Sequence, residues 1–103
     1  MTQALDVFIE YKIHEKYVKP YEENMKKIKE RVQEMGASDF EWYEAADQPN
    51  LYVEMFKVND YAAYEKIKSL RQDESESLTK DFSAYVAGGS SKVHCWAFKR
   101  KMI

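Results

Sequence analysis

Apolar residues alternate with a second, mixed set of residues between Ala4 and His14, which is the clearest pattern in the chain. The first set comprises Leu5, Val7, Ile9, Tyr11 and Ile13. The second set combines charged residues with Phe8. A period of two places the two sets on opposite faces of a β-strand. We expect the first set to face a layer of helices and to form part of the core.

A helical period follows, with apolar residues at steps of three and four from Val18 to Met35. This spacing is that of one face of an α-helix. Pro20 is tolerated only near the start of a helix, so we place that start at residues 17–19. Gly36 supplies the left-handed conformation in which many helices end.

Two strands joined by a turn are predicted next. Segments 39–46 and 51–58 are rich in aromatic and apolar residues, and residues 47–50, Asp-Gln-Pro-Asn, favour a turn. The second strand would carry Leu51, Val53 and Met55 on one face and Tyr52, Glu54 and Phe56 on the other. We assign the first of these sets, which is entirely apolar, to the helix-facing core and the second set to the opposite face.

The C-terminal third of the chain predicts two helices and a strand. Apolar stripes at residues 61–70 and 78–86 have helical spacing, and the polar run 72–77 separates them. Asp73 and Glu76 fit a capping box at the start of the second helix. The last strand is predicted at residues 92–102, with Val93, Cys95 and Ala97 on its core face and His94, Trp96, Phe98 and Arg100 on its other face.

The order strand, helix, strand, strand, helices, strand predicts a ferredoxin-like split βαβ fold. A right-handed crossover makes the first two strands parallel, and the hairpin then sends the third strand back between them. The final crossover places the last strand on the free side of the first. The expected fold class is therefore α+β, a single domain over residues 1–103 with a four-stranded antiparallel sheet and helices on one face.

The face of the sheet away from the helices is predicted to carry many aromatic rings. Its members are Phe8, Tyr52, Phe56, His94, Trp96, Phe98 and Arg100. An exposed surface of this kind usually marks an interface, and a second copy of the same sheet would cover it in a two-fold dimer. We therefore predict a homodimer formed by sheet-to-sheet packing.

Composition narrows the partners and the compartment. The 103 residues include 16 basic and 18 acidic ones without a basic stripe, which argues against a nucleic-acid partner. A single cysteine excludes an internal disulfide and fits a reducing compartment. Neither a secretory signal pattern nor an apolar run of about 18 residues is present, so we expect a cytoplasmic protein without a membrane partner.

Few residues have the spacing of catalytic or metal-binding groups. No metal-ligand pattern is found, and no cofactor is expected. His94 and Cys95 point to opposite faces of a strand, which excludes a Cys–His dyad and leaves Cys95 as a small buried hydrophobe. His14 beside Glu15 is the candidate catalytic residue, because a neighbouring carboxylate favours protonated histidine. The alternative is an exposed histidine at the end of a strand.

Four of the eight tyrosines are predicted to project into the layer between sheet and helices. These are Tyr11, Tyr21, Tyr64 and Tyr85. Hydroxyl groups in an apolar layer need hydrogen-bond partners. The four phenols therefore either bond to each other and to water, or line a small-ligand pocket.

Residues 44–67, EAADQPNLYVEMFKVNDYAAYEKI, resemble the antibiotic-biosynthesis-monooxygenase-like family of dimeric α+β barrel proteins. The shared features are a turn with Asp and Pro, a strand that carries a Glu, and an Asp that precedes a helix with aromatic residues. The resemblance implies two sheets packed face to face and a pocket in each subunit between sheet and helices. It also implies a small aromatic ligand.

The family includes cofactor-independent oxygenases of electron-rich aromatic compounds and haem-degrading enzymes, but the residues of neither mechanism are matched. The haem-degrading type carries a helical His, a helical Trp and an Asn on the first strand. Here His14, His94, Trp42 and Trp96 lie on or beside strands, and the first strand has no Asn. Our first hypothesis is a homodimeric small-ligand-binding protein without a recognisable catalytic constellation. The alternative is a cofactor-independent monooxygenase-like enzyme that acts on a small aromatic or quinol-type substrate through the tyrosines and His14.

Overall fold

The computed structural model describes residues 4–73 and 77–103, apart from the side chains of residues 77–79. The strands are β1 (Leu5–Lys12), β2 (Ser38–Glu44), β3 (Leu51–Val58) and β4 (His94–Phe98). The helices are α1 (Val18–Glu34), α2 (Tyr61–Arg71) and α3 (Ser77–Tyr85), and two 3₁₀ turns span Glu15–Tyr17 and Ser90–Lys92. The strand order is β2-β3-β1-β4 with every pair antiparallel, which confirms the predicted α+β ferredoxin-like fold.

The predicted boundaries hold for β3 and α1 and need correction elsewhere. The second strand begins one residue earlier than predicted and ends at Glu44. The last strand is shorter at both ends, so Arg100 lies beyond it. Helix α1 begins within the predicted range and is followed by Gly36 with φ of +108°. The predicted capping box includes Glu76, which lies outside the described residues.

The core lies between the sheet and the helices. The five apolar residues of the first alternating set are buried as predicted: Leu5, Val7, Ile9 and Tyr11 on β1, and Ile13 just after it. Helix α1 contributes Tyr21, Met25, Ile28 and Val32 to the same core. Helix α2 is capped by Asp60, whose carboxylate accepts the Ala63 N–H at 2.8 Å.

The predicted face assignment of β3 is wrong. In the β1–β3 register Val7 lies opposite Phe56, Ile9 opposite Glu54, and Tyr11 opposite Tyr52. Residues directly opposite each other in an antiparallel pair share a face of the sheet. Tyr52, Glu54 and Phe56 therefore belong to the core and are buried, whereas Leu51, Val53 and Met55 lie half-buried on the other face.

Tyr52 and Phe56 are therefore not part of the predicted dimer surface, and Leu51, Val53 and Met55 lie on that face of β3 instead. We call the side of the sheet away from the helices the open face; it carries Phe8, Met55, Trp96 and Phe98. The assignment of β4 is confirmed, because Cys95 pairs with Ile9 on the core side and Trp96 pairs with Phe8 on the open face. None of the described helices is long and apolar enough to cross a membrane.

Candidate functional site

A buried ion pair joins the sheet to the helices. Glu54 on β3 is fully buried, and Arg71, the last residue of α2, is 2% exposed. The two side chains meet through two hydrogen bonds, Nη1 to Oε1 at 2.5 Å and Nη2 to Oε2 at 2.7 Å. Two-point pairing of this kind offsets the high cost of taking both charges out of water.

Helix α2 delivers Arg71 to this position because its buried stripe runs through Tyr64 and Ile67 at helical spacing. Burial disfavours the charged guanidinium, but the contact with Glu54 outweighs that effect and raises the pKa of Arg71. The guanidinium carbon also lies 4.6 Å from the centre of the Phe82 ring on α3. Arg71 is therefore held as a cation between a carboxylate and an aromatic face.

A chain of hydrogen bonds extends from this ion pair across the layer. The Tyr11 hydroxyl donates to Glu54 Oε2 at 2.5 Å, and its oxygen lies 2.6 Å from the Tyr21 hydroxyl. A phenol has one proton, so Tyr21 donates to Tyr11 and accepts in turn from Trp42 Nε1–H at 2.8 Å. We call the side chains of Trp42, Tyr21, Tyr11, Glu54 and Arg71 the buried network.

The phenols of the buried network act as donors rather than as bases at neutral pH. Burial is the largest cause, and the nearby Glu54 carboxylate adds to it, so the pKa values of Tyr11 and Tyr21 are raised well above the ordinary value. Both hydroxyls therefore keep their protons. The hydroxyl groups form a continuous hydrogen-bonded chain that ends at Glu54. Both carboxylate oxygens of Glu54 already accept hydrogen bonds.

One polar atom of the buried network has no partner. Arg71 Nε is buried, and no hydrogen-bond acceptor reaches it within the part of the chain that the structure describes. An unsatisfied buried donor costs on the order of 1–3 kcal/mol, which is why such groups usually bind ordered water or a ligand. This N–H group is therefore available to donate a hydrogen bond to an acceptor between the sheet and the helices.

The structure brings together two of the four tyrosines that the sequence analysis selected. Tyr11 and Tyr21 are in contact, as described above. Tyr64 instead donates its hydroxyl to the Cys95 carbonyl at 3.2 Å, and Tyr85 is half-buried with its ring 5.3 Å from that of Tyr17. Only the first pair belongs to the buried network.

His14, the catalytic candidate, lies apart from the buried network. Its side chain is exposed, its backbone N–H donates to the Tyr85 carbonyl at 2.9 Å, and its ring centre lies 6.1 Å from that of Tyr17. Among the described residues its imidazole has no hydrogen bond or ion pair with Glu15. The position gives His14 no contact with the two buried phenols.

The open face contains a groove of about 720 Å³. Its apolar floor is formed by Phe8, Met55, Trp96 and Phe98. Its rim has three acidic residues, Asp6, Asp39 and Glu41, and three basic ones, Lys57, Lys99 and Arg100. Trp96 and Phe98 are 44% and 49% exposed, which is unusual for rings of this size. His94 stacks on Trp96 with ring centres 5.9 Å apart.

A second groove of about 400 Å³ lies between α1 and the edge strand β2. It is lined by Glu22, Met25, Lys26 and Lys29 from the helix and by Phe40 and Trp42 from the strand. Trp42 thus takes part both in this groove, which we call the α1–β2 groove, and in the buried network.

Glu54 and Arg71 are missed when each strand and helix face is judged by its apolar residues alone. Two signals were available. The Glu54 set on β3 continues to Val58, whereas the competing set continues to Lys57. Arg71 lies seven residues after Tyr64 on the buried stripe of α2. A carboxylate and a guanidinium that both lie on otherwise apolar stripes are typical of a buried ion pair.

Several solved structures resemble this chain in fold. SnoaB, a cofactor-independent oxygenase from Streptomyces nogalater, matches with a TM-score of 0.75 at 13% identity, over 99% of this chain and 97% of that one. A putative antibiotic biosynthesis monooxygenase from Nitrosomonas europaea matches with a TM-score of 0.70 at 8% identity, over 97% and 92%. A conserved protein from Methanosarcina mazei Go1 matches with 0.67 at 15% identity, over 97% and 95%. This chain has the fold of the antibiotic-biosynthesis-monooxygenase-like proteins.

The likeness confirms the resemblance predicted from residues 44–67, and at these identities it shows the fold alone. No family model matches the chain, and no curated protein matches it significantly. Within the described residues no group of three or more His, Cys, Asp or Glu side chains is placed to hold a metal ion.

Proposed function

We propose that this protein is a homodimeric small-ligand-binding protein of the α+β barrel type, with a ligand site between sheet and helices at Arg71. The observation that supports the ligand site is the buried Nε–H of Arg71, which has no partner in the described structure. A ligand with an acceptor oxygen would satisfy it. We also propose a cytoplasmic location, because a single cysteine fits a reducing compartment.

The surroundings of Arg71 favour a small aromatic ligand. The rings of Tyr11 and Phe82 meet edge to face with centres 4.8 Å apart, and Phe82 also carries the guanidinium. Aromatic walls with one convergent donor are the usual composition of a small-molecule site. A phenol or quinol oxygen would accept from Nε–H while its ring packs against Phe82.

The open face supports the homodimer. Its exposed rings need a cover, and equal numbers of acidic and basic side chains surround them. A two-fold axis brings the same patch of both copies together, so each acidic rim can meet the partner's basic rim. The open face is therefore complementary to the same face of a second copy of this chain.

The decisive experiment for the ligand site measures the binding of a panel of phenols and quinols by calorimetry. Arg71→Lys keeps a cation beside Glu54 and removes the Nε–H donor. We expect the wild type to bind at least one member of the panel and Arg71→Lys to bind it at least about tenfold more weakly, the effect of a lost 1.4 kcal/mol contact. Lys66→Arg, an exposed change on the same helix, is the control. Equal binding by Arg71→Lys and wild type would contradict the site.

A second candidate function is that of a cofactor-independent oxygenase on a small aromatic or quinol-type substrate. Its specific support is the proton chain from Tyr21 through Tyr11 to Glu54, because a buried chain of this kind can move a proton to or from a bound phenol. Oxygen uptake with quinols distinguishes the two functions. Turnover that is lost in Tyr11→Phe, or in His14→Ala, would establish the enzyme and contradict a binding protein without catalysis.

A further inference from the structure

We propose a second ligand site in the α1–β2 groove, which binds a small aromatic carboxylate. The site lies apart from the open face, and it is separated from Arg71 by the buried network, whose outer member is Trp42. It combines a fixed aromatic floor from β2 with two cations from α1 that have no partner in the described structure.

The floor of this site is formed by two rings that the core holds in place. Phe40 and Trp42 are two residues apart on β2 and so share a face. Phe40 stacks on the buried Phe56 with ring centres 6.0 Å apart and an interplanar angle of 7°, and Trp42 stacks on the buried Tyr52 at 6.0 Å and 21°. Each ring in the groove is thus in contact with a buried ring of the neighbouring strand.

The indole of Trp42 is fixed further by its hydrogen bond to Tyr21. Rings that are held before binding lose little conformational freedom when a ligand stacks on them, so the contact contributes nearly its full free energy to affinity. Phe40 and Trp42 are half-buried, and their exposed parts face the groove. The strand therefore offers a rigid surface for one flat ring.

The helix side of the groove attracts an anion. Lys26 and Lys29 lie three residues apart on α1, which places them on neighbouring positions of one helix surface. Neither forms an ion pair within 4.0 Å among the described residues. The acidic residue of the groove, Glu22, accepts the Tyr52 hydroxyl at 2.8 Å. With two cations and one engaged carboxylate, the groove has a positive balance.

The combined features select the chemical class of the ligand. A volume of about 400 Å³ is at the lower end of small-molecule sites and fits one or two fused rings. The rings favour an aromatic ligand over inorganic phosphate, and the lysines favour an anion over a neutral aromatic compound. A carboxylate that reaches Lys26 or Lys29 leaves its ring over Trp42.

The test is a titration of the ¹⁵N-labelled protein with 2-naphthoate, with neutral 2-naphthalenemethanol as the matched probe. The chain has two tryptophans, and the spectrum of Trp42→Phe identifies the indole signal of Trp42. We expect 2-naphthoate to shift that signal saturably while the Trp96 signal stays in place. The alcohol should bind at least about tenfold more weakly, which corresponds to a loss of 1.4 kcal/mol.

Charge-reversal variants test the role of the lysines. Lys26→Glu/Lys29→Glu should weaken 2-naphthoate binding at least about tenfold, a 1.4 kcal/mol effect. Lys19→Glu/Lys66→Glu, which makes the same change in net charge at exposed positions outside the groove, should leave it within about twofold. The proposal is overturned if the Kd of 2-naphthoate is above about 1 mM, or if the alcohol binds as tightly as 2-naphthoate. It is also overturned if the two double variants lose affinity to the same extent.

Discussion

The two faces of the sheet treat charge in opposite ways. On the helix side, Glu54 and Arg71 are completely buried and joined to each other, and two phenols and an indole extend the contact. On the open face the charged groups, Glu10 among them, stay at least partly exposed near the rings of Trp96 and Phe98. A charged residue on a strand therefore does not by itself mark the solvent side, because a partner on a packed helix can make burial tolerable.

Helix α2 explains why the two faces differ. Its buried stripe ends in Arg71, which needs a carboxylate on the sheet below, and Glu54 provides it. The open face has no helix above it, so its charges remain hydrated. If this comparison is right, substitutions of similar size should have different consequences on the two faces.

The largest expected effect is the loss of one partner of the ion pair. Arg71→Leu leaves Glu54 buried without its counter-charge, and we expect unfolding free energy to fall by about 3–5 kcal/mol. Urea denaturation at fixed protein concentration measures it. The double variant Glu54→Leu/Arg71→Leu removes both charges and should recover much of that loss. A single variant within about 1 kcal/mol of the wild type would show that the pair is not buried as described.

The next effect concerns the apolar side of β1. Ile9 is fully buried between Glu54 and Cys95 on the neighbouring strands. Ile9→Ala should cost about 2–5 kcal/mol, because the surrounding core fills the cavity only in part. Lys12→Ala, an exposed change on the same strand, should stay within about 0.5 kcal/mol. A cost below about 0.5 kcal/mol for Ile9→Ala would mean that the faces of β1 are reversed.

On the open face the expected effect is on association rather than on folding. Trp96→Glu places a charge among rings that have no designed partner for it, which is costly on burial. Because tryptophans at interfaces often contribute about 2 kcal/mol or more, we expect the dimer to dissociate or the variant to aggregate. Light scattering at micromolar concentrations measures the mass. Tyr61→Glu, an exposed aromatic change on α2, should remain dimeric. A monomeric wild type would contradict the sheet-to-sheet dimer.

The sequence was sufficient for the order of the elements and for most of the core, because these depend on local periodicity. Ile9, Tyr21 and Cys95 each lie on the face that periodicity predicted. For Glu54 periodicity offers only a weak signal, the continuation of its set to Val58, because both sets of residues on β3 suit a half-buried strand. The choice depends on Arg71, 17 residues later, and therefore on tertiary packing.

The candidate sites were less predictable than the fold for the same reason. Tyr11 and Tyr21 were selected from their faces, but their bond to each other and to Glu54 requires the distance between α1 and the sheet. From the sequence alone, Trp42 is a strand residue that does not match the haem-degrading pattern. Its two roles, as the outer end of the buried network and as part of the floor of the α1–β2 groove, follow from the pairing of β2 with β3.

The most gradual expected effect is a fall in stability at alkaline pH that arises mainly on the helix side. Burial raises the folded-state pKa values of Tyr11 and Tyr21 above the unfolded value of about 10. Above that pH the unfolded chain releases phenolic protons that the folded chain keeps, so the unfolding free energy declines with rising pH. Each such tyrosine contributes a slope of up to about 1.4 kcal/mol per pH unit. Cys95, whose thiol pKa burial raises to about 11, adds a similar decline that begins near pH 9.

Urea denaturation between pH 8 and 11.5 measures this decline. Below pH 9 the phenols are protonated in both states, and the tyrosine contribution is fully present. Above pH 10, Tyr11→Phe should reduce the slope of the unfolding free energy by up to about 1.4 kcal/mol per pH unit, the contribution of one proton. At pH 8 the same change lowers stability, because it removes a donor to Glu54. Tyr17→Phe, which removes a half-buried hydroxyl outside the buried network, should leave the slope close to that of the wild type. Equal slopes for Tyr11→Phe and wild type would mean that the Tyr11 hydroxyl reaches solvent in the folded protein, and the contrast between the two faces of the sheet would then rest on Glu54 and Arg71 alone.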